Sequence, residues 1–573
     1  MVAATGNGTR NARHLESSWP DAKLYEGSVR ESLARAWGEC DGIVLFLATG
    51  AALRLVPELL GDKSTDPGVV TVDDGGRFAV SLCGGHEGGA NGLARRVADS
   101  LGAEPVITTA SEAVDAPSLG SLGTDLDFVV EEGSDLAAVG RAMVSGEEVR
   151  LVSEARWPLG PLPENVVRGK LPEDGAPAIV ISDRVEDFPG PSVVYRPPSL
   201  VAGVGCSRGA TAEEILGLLR SSLREAGLSE RSVAYLASVE AKRDEAGLHE
   251  AARAMGLEVR FYPADELSGI QVPNPSEAAL NAVGTPSVSE ASALSGGGDL
   301  LVEKRKSASA TVAVARRPVR GRLYLVSLGP GEDALIPPLA REALTRSELI
   351  VGLDQYVDRV RHMLRPGTRV ETPPLGNEVE RAEMAIAEAR AGGSAALVSS
   401  GDIGVYAMGS PVLEALGADE GVEVISVPGV TAANAAASLL GSPLGHDHCS
   451  VSLSDLLTPW EAIERRIEAA GAGDFVVSFY NPRSRGRDWQ LGKAREILLD
   501  HRLPGTPVGL VTDAYRSKGR VKVTDLGSLR SEDVDMLTVV IVGSSQTRLM
   551  GGRMVTPRGY VMPQDDAVYE ERV

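Results

Sequence analysis

Residues 322–344 read RLYLVSLGPGEDALIPPLAREAL, an apolar run of strand length that stops on Gly329-Pro330-Gly331 and continues as a helical pattern. Glycines let the backbone approach a ligand closely, and Pro330 fixes the turn between them. Such a turn is common and decides nothing by itself. Three further units repeat the arrangement. SAALVSSGDIGVYAMGSPVLEAL (394–416) places Ser400-Gly401-Asp402 at the end of a strand. VEVISVPGVTAANAAASLLG (422–441) places Pro428-Gly429-Val430-Thr431-Ala432 there, and DFVVSFYNPRSRGR (474–487) ends its strand on Tyr480-Asn481-Pro482-Arg483. In open α/β sheets ligands sit outside the carboxyl ends of the strands, so the four loops are expected to converge on one crevice.

The chain of 573 residues exceeds what one core serves, and about three to five domains are expected. The fold class is α/β and multidomain. GIVLFLAT (42–49) is an apolar run of buried-strand length, followed by the helical-looking GAALRLVPELL. GVVTVDD and FAVSLC alternate as a hairpin around Asp74-Gly75-Gly76, and GANGLARRVADSLGA reads as a helix ending at Gly102. A strand at residues 2–4 would begin abruptly, which leaves room for chain upstream. Residues 111–198 carry Pro and Gly throughout and read as less regular. At 199–227 a strand, a small-residue turn and a helix capped by Thr211 follow one another, with Glu213 and Glu214 in the helix's first turn. SVAYLAS, HEAARAMG and the paired strands of GDLLVEKRKSASATVAVARR complete that unit. The expected divisions are 1–110, 111–198, 199–315, a basic linker at 316–320, a C-terminal unit at 321–560 with an internal boundary near 440–450, and a tail at 561–573.

The composition narrows the function. A net charge of -22 argues against nucleic acid, whose binding needs a basic face to release counterions. Small anionic substrates need only a few local donors and stay possible. Cys40, Cys83, Cys206 and Cys449 lie far apart with no CxxC pair and no zinc spacing, so no metal site is expected and a reducing cytoplasm fits. Residues 424–446 hold no Asp, Glu, Lys or Arg, but Pro428, Gly429, Asn434 and Pro443 break them into a buried strand, turn and helix rather than a membrane span.

The ordered set LGPG, SSGDIGVYAM, VPGVTAANAAAS, SDLLTPW, FYNPRSRGR and VVIVGSSQT resembles the tetrapyrrole methylases, and within them the precorrin-3B carbon-17 methyltransferases. The resemblance implies a two-domain α/β methylase fold, S-adenosylmethionine bound folded in the cleft, and a homodimer. It implies that Pro330 and Gly331 border the cofactor and that Ser400, Gly401, Asp402 and Val405 hold its amino-acid and ribose portions. Thr431 and Ala432 would line the other wall, with Asn481 and Ala514 closing the pocket. A helix N-cap is the competing role for Asp402. Ile403, Ala407 and the pair Thr512-Asp513 depart from the family pattern. Methyl transfer from a sulfonium needs alignment rather than a nucleophilic side chain. Tyr356, Asp455, Tyr480 and Arg483 are therefore candidates for positioning the tetrapyrrole macrocycle. Arg483, Arg485 and Arg487 form a basic spot suited to its carboxylate arms, although a solvated loop explains the last two equally well.

The N-terminal half is similar to the cobalt-precorrin-5A hydrolases, most clearly over residues 49–110 and 201–242. That resemblance implies α/β domains of the cobalamin-biosynthesis hydrolase type, opening of a ring-A lactone and release of acetaldehyde. Such chemistry needs a base to direct water and donors for the oxyanion. Ser81-Leu82-Cys83-Gly84-Gly85-His86-Glu87-Gly88-Gly89 offers His86 and Glu87 between glycine N–H groups. Cys206 in GVGCSRG is expected to be a buried thiol rather than a nucleophile. Lys63 and Asp66 are expected to shape a turn or meet substrate carboxylates, and Glu240 and Lys242 are weaker candidates.

Together the resemblances imply a bifunctional corrin-biosynthesis enzyme whose cobalt travels with the substrate. Two other readings stay open. The N-terminal half can be a non-catalytic tetrapyrrole-binding module, or the methyltransferase can act on another small substrate such as diphthine or an RNA base.

Overall fold

The run that begins at Gly42 forms the strand Gly42–Phe46, buried beyond its first residue, and its neighbours show how the first sheet assembles. The structure, a computed structural model, describes residues 1–62, 65–85, 88–108, 117–172, 175–188, 190–484 and 486–560. The strands Val2–Ala3, Gly42–Phe46, Gly68–Val72, Phe78–Cys83 and Glu104–Val106 lie in sequential order. All pairs are parallel except the hairpin Gly68–Val72/Phe78–Cys83, where Val72 faces Ala79. Asp73 fixes the hairpin turn by accepting the N–H groups of Arg77 (2.7 Å) and Phe78 (2.8 Å). The helix Ala90–Leu101 ends on Gly102 at φ 67°, a conformation glycine adopts without strain. The segment after Gly42–Phe46 is only a short helix, Thr49–Ala52, and a 3-10 turn, Val56–Glu58, because Pro57 interrupts the helical pattern.

Residues 117–197, irregular by sequence, carry a second five-stranded sheet. Its order is Val129–Val130, Ser192–Arg196, Ala178–Ile181, Val149–Ser153, Val166–Arg168. Its core gathers Trp157, Tyr195, Ile179 and Val193 with the half-buried Phe128, whose ring meets Trp157 edge-on at 5.0 Å. A third sheet follows in the order Val259–Tyr262, Val233–Val239, Leu200–Cys206, Ala310–Arg316, Asp299–Lys306. Its helix Ala212–Glu225 is capped by Thr211, whose hydroxyl accepts from Glu214 N (3.3 Å). Arg316 ends a strand of this sheet and reaches Asp183 beyond the second through two bonds of 2.6 and 2.7 Å, and Ser199 donates to the same carboxylate at 2.7 Å. Glu290 is fully buried. Its carboxylate accepts from Asn274 Nδ2 (2.9 Å) and from the N–H groups of Lys304 (3.0 Å) and Asn274 (3.2 Å). These three sheets make one unit, Met1–Val319, and Arg320–Val573 makes a second.

The second unit opens with a fully parallel sheet in the order Arg369–Glu371, Leu349–Val351, Ser394–Ser399, Gly321–Ser327, Val422–Val427. The Ala-rich helix Ala432–Leu440 leads to a second, mixed sheet: His448–Ser452, Val476–Tyr480, Thr538–Val542, Pro507–Thr512, Arg520–Asp525. Its buried Ala436, Ala437 and Leu440 share a cluster with Val476, Val511 and Ile541 of that sheet. Gly509 permits the contact, since a Cβ there would lie 2.3 Å from Leu440 Cδ1. Among the described residues no helix is long and apolar enough to cross a membrane.

Candidate functional site

The strand order of the parallel sheet sets Ser394–Ser399, Gly321–Ser327 and Val422–Val427 side by side, so their three glycine-bearing loops leave one edge together. Gly329 and Gly401 exchange backbone hydrogen bonds of 3.1 and 2.8 Å. Ser327, fully buried at the strand end, accepts from Ile403 N at 2.9 Å. A Cβ on Gly429 would stand 2.5 Å from Ser327 Cβ and 2.7 Å from the Gly401 carbonyl oxygen, so backbone packs directly on backbone here.

Asp402 ties two of these loops. One carboxylate oxygen accepts from Gly404 N (2.8 Å) and the other from Gly429 N (2.9 Å). It caps no helix, because the next one, Gly409–Leu416, follows Met408. A carboxylate has about four lone-pair positions, which leaves capacity for ligand hydroxyl or ammonium donors. Val405 donates back to Asp402 O at 3.1 Å, and Ile403 departs from the family pattern by filling the core beside Leu397, Met408 and Val412. A cavity of about 660 Å³ lies beside this junction, lined by Leu325, Ile403, Leu413, Ser426 and Pro428, and of the expected cofactor residues only Asp402 borders it.

The mixed sheet brings its own loops to the same place. His448–Ser452, Val476–Tyr480 and Pro507–Thr512 run in one direction, so Ser452, Tyr480 and Thr512 end at a common edge. Thr431 precedes the helix Ala432–Leu440 but does not cap it. The Tyr480 hydroxyl does so instead, accepting from Ala433 N at 2.9 Å and bonding Thr431 Oγ1 at 2.6 Å. Burial pushes the Tyr480 phenol above its ordinary pKa, and the nearby Asp402 charge adds to this. The Tyr406 ring lies 5.0 Å from that of Tyr480, and its hydroxyl donates to Ser450 O (2.9 Å). Asn481 donates to Ser452 Oγ (3.1 Å) and its carbonyl accepts from Arg487 Nη2 (3.2 Å). Ala514 and Ala432 pack, half-buried, on the same apolar cluster.

The remaining macrocycle-side candidates divide. Asp455 is engaged by Gln490 Nε2 (2.9 Å) and Arg483 by the Ser531 carbonyl (3.0 Å), whereas Tyr356 lies half-buried on the short helix Asp354–Val360 with Arg359. Arg485 lies outside the described residues.

Three participants carried no sequence signal. Arg516 donates to the Pro330 carbonyl and Ser400 Oγ, both at 3.0 Å, and pairs with Asp513 at 3.5 Å. Gly331 makes room for it, since a Cβ there would lie 2.4 Å from Arg516 Cγ. Arg359 donates to the carbonyls of Leu328 (3.2 Å) and Gly329 (3.4 Å). Tyr406 belongs to a quartet with left-handed backbone, φ 52°, alongside Asn481 (51°), Asp513 (50°) and Tyr515 (58°). Each arginine looked like any surface charge, and positive φ at a tyrosine has no signature in composition.

In the first unit His86 and Glu87 lie outside the described residues, as does Lys63. The flanking turn is tight: a Cβ on Gly88 would sit 2.6 Å from Gly68 N, while Ala90 and Asn91 donate to the Gly84 and Gly85 carbonyls at 3.0 Å each. Asp66 shapes a turn by accepting Gly61 N at 3.0 Å. Cys206 is half-buried, and burial raises its thiol pKa. Glu240 pairs with Arg243 (3.1 Å) and Lys242 with Glu245 (3.4 Å).

The second unit is thus a two-lobed α/β fold whose strand-end loops meet through backbone contacts, and it follows three smaller α/β domains. Residues 322–530 match the Tetrapyrrole (Corrin/Porphyrin) Methylases. Residues 31–112, 117–197 and 200–315 match Cobalamin synthesis G N-terminal, Cobalamin biosynthesis central region and Cobalamin synthesis G C-terminus. The probable cobalt-factor III C(17)-methyltransferase of Salmonella typhimurium is 46% identical over 241 residues, 42% of this chain and 100% of that protein. The cobalt-precorrin-5A hydrolase of Priestia megaterium is 34% identical over 313 residues, 52% of this chain and 84% of that protein. The cobalt-factor III methyltransferase of the same organism is 45% identical over 247 residues, and there the chain matches only 46% of the relative's length. The chain belongs to the cobalamin-biosynthesis families of tetrapyrrole methylases, through its C-terminal unit, and of cobalt-precorrin-5A hydrolases, through its N-terminal unit.

Proposed function

We propose that this chain is a bifunctional enzyme of corrin synthesis. Its C-terminal unit methylates a precorrin-3B-type macrocycle at carbon 17, with ring contraction, using S-adenosylmethionine. Its N-terminal unit hydrolyses the cobalt-precorrin-5A lactone and releases acetaldehyde. The names of the relatives favour a cobalt-bearing methyl acceptor, with the cobalt carried by the substrate.

The observation that carries the methyltransferase reading is the junction at Asp402 and Tyr480, where loops of both lobes are tied by side chains that keep spare bonding capacity. The residues present fit the cofactor. Asp402 and Ser400 offer acceptors for ammonium and hydroxyl groups, and Ala432 and Ala514 give small apolar walls for a flat ring. Bound there, S-adenosylmethionine supplies an electrophilic methyl on a sulfonium that leaves as a neutral thioether. The chain's own residues hold the loops at fixed separation and leave Tyr356 and Tyr406 at the rim to orient the macrocycle. Their contribution is alignment, which intramolecular reactions value at up to about 7–11 kcal/mol. A homodimer in the cytoplasm is part of this reading.

For the hydrolase, His86 or Glu87 directs water at the lactone carbonyl while N–H groups of the surrounding glycine turn meet the oxyanion. The 34% identity to a hydrolase over 84% of its length favours a catalytic N-terminal unit over a binding module.

Calorimetric titration of the full chain with S-adenosylhomocysteine tests the first activity. Saturable binding that Asp402→Asn weakens about tenfold is expected, since the amide removes one of two acceptors. Acetaldehyde release from cobalt-precorrin-5A tests the second. His86→Ala or Glu87→Gln should abolish it and leave methylation intact, whereas two fully active variants would reject these residues.

A further inference from the structure

Arg359 and Arg516 both grip the turn at residues 328–330, yet their surroundings differ. Arg516 is anchored on Pro330 O, Ser400 Oγ and Asp513. Arg359 makes no ion pair among the described residues. Two carbonyls at 3.2 and 3.4 Å are its partners, and its Nε is buried without an acceptor. Burial lowers its pKa, and the neighbouring Arg516 charge lowers it further, against weaker support from Asp333 and Tyr356. Asp333 is itself shared with His362, 3.2 Å away. Arg487, Arg495 and Arg502 of this unit share the orphaned Nε, so what sets Arg359 apart is the second cation, Arg516, anchored on the next carbonyl of the same turn; Arg381, by contrast, meets Pro373 O, Pro374 O and Glu378. A half-buried cation beside another cation, in a chain of charge -22, is costly unless a negative group completes it.

We propose that Arg359, backed by Arg516, is a carboxylate receptor of the methyltransferase site, taking one carboxylate of a bound ligand through the unused N–H groups of its planar fork. The inference rests on the methyltransferase reading. Two ligands of that reaction carry the required group: the amino-acid end of the cofactor and the acid side arms of the macrocycle. Either would replace carbonyl contacts longer than 3 Å by charge-assisted bonds and relieve the repulsion between the two guanidinium groups. Tyr356, on the same short helix, stands next to the receptor and would shield the pair from water.

The test uses the full chain and three probes: S-adenosylhomocysteine, its decarboxylated analogue, and uroporphyrin III as a water-soluble porphyrin polycarboxylate. Arg359→Gln should weaken one carboxylate ligand about tenfold or more, and Arg359→Lys, which keeps charge but loses the fork, should recover part of it. Loss for S-adenosylhomocysteine with unchanged affinity for the decarboxylated analogue identifies the cofactor as the source. Loss confined to uroporphyrin III identifies the macrocycle. Unchanged affinity for both carboxylate ligands in a folded variant overturns the proposal, as does an equal loss for the decarboxylated analogue, which marks a merely structural role. Should Arg359→Gln fail to fold, Arg359→Lys carries the same comparison with a smaller expected loss. A wild-type chain that binds none of the three probes rejects the methyltransferase reading itself, and this assignment falls with it.

Discussion

Replacing Tyr480 by Phe removes one hydroxyl and keeps the ring. In the native protein that hydroxyl accepts from Ala433 N at 2.9 Å and bonds Thr431 Oγ1 at 2.6 Å, and Ala433 is 4% exposed. Loss of the first bond strands a buried N–H in the opening turn of the helix Ala432–Leu440, where side-chain caps contribute about 1 kcal/mol and an unsatisfied donor costs about 1–3 kcal/mol. Thr431 can turn its own hydroxyl towards the helix and recover part of this. A net loss of about 2 kcal/mol follows, or about 4–8 °C in the melting of a domain of this size. Differential scanning calorimetry of the full chain reads it, and the affected transition is the one that S-adenosylhomocysteine raises. Adding Thr431→Val should cost more in the Tyr480→Phe background than in wild type, because it removes the substitute cap. A shift below about 1 °C, with additive effects of the two substitutions, would refute the Tyr480 cap.

Gly429→Ala should abolish S-adenosylhomocysteine binding at concentrations that saturate wild type while leaving acetaldehyde release unchanged. Its Cβ would meet Ser327 Cβ at 2.5 Å and Gly401 O at 2.7 Å, overpacking that typically costs about 1–3 kcal/mol. Asp183→Ala should destabilise the first unit by about 3 kcal/mol, read as a lower urea midpoint, because it leaves Arg316 without its bidentate partner. Glu290 gives a pH signature. Burial raises its pKa, but hydrogen bonds from Asn274 and Lys304 N outweigh that and hold it below the ordinary 4.5. A depressed native pKa means stability present above pH 4.5 and lost as pH falls below it, so Glu290→Gln should cost stability at neutral pH and narrow its gap to wild type on acidification. Parallel urea melts check this, and a gap that widens in acid would reverse the sign.

What the sequence made legible were strand ends. Four apolar runs stopping on Gly, Pro, Ser or Asn marked the loops, three of which the strand order then sets on one edge of the parallel sheet, and the hairpin at Asp74-Gly75-Gly76 was equally plain. Residues 117–197 were not. Their strands are two to five residues long, and Ala178–Ile181 is buried on both faces, so there is no alternation to read. At the site the backbone was readable and the cross-links were not. Nothing in YNPR indicates that Tyr480 caps the helix Ala432–Leu440, or that Arg516 anchors a turn far upstream in sequence. Such ties depend on which loops meet, which is a tertiary fact. The Ile403 departure is explained by the same logic: that position faces the core, so bulk is accommodated there.

The left-handed residues Tyr406, Asn481, Asp513 and Tyr515 pose a question that packing alone does not answer, since glycine would relieve a strain of about 1–2 kcal/mol at each position. Glycine would also remove four ties. Tyr406 reaches Ser450 O, Asn481 reaches Ser452 Oγ, Tyr515 meets Ser438 Oγ at 2.9 Å, and Asp513 pairs with Arg516. Each such bond contributes about 1 kcal/mol, so strain and tie nearly cancel, and stability is not what the arrangement serves. What remains is geometry: Tyr406 ties a loop of the parallel sheet to the mixed sheet, and the other three ties fix loops of the mixed sheet, before any ligand arrives. A reaction that depends on aligning a methyl group with a carbon nucleophile has most to gain from that rigidity, because the entropy of bringing the walls together is spent during folding rather than during turnover. Replacing all four by glycine should therefore leave the melting temperature of this unit nearly unchanged while lowering kcat, a dissociation between stability and rate that a purely structural role for these residues would not produce.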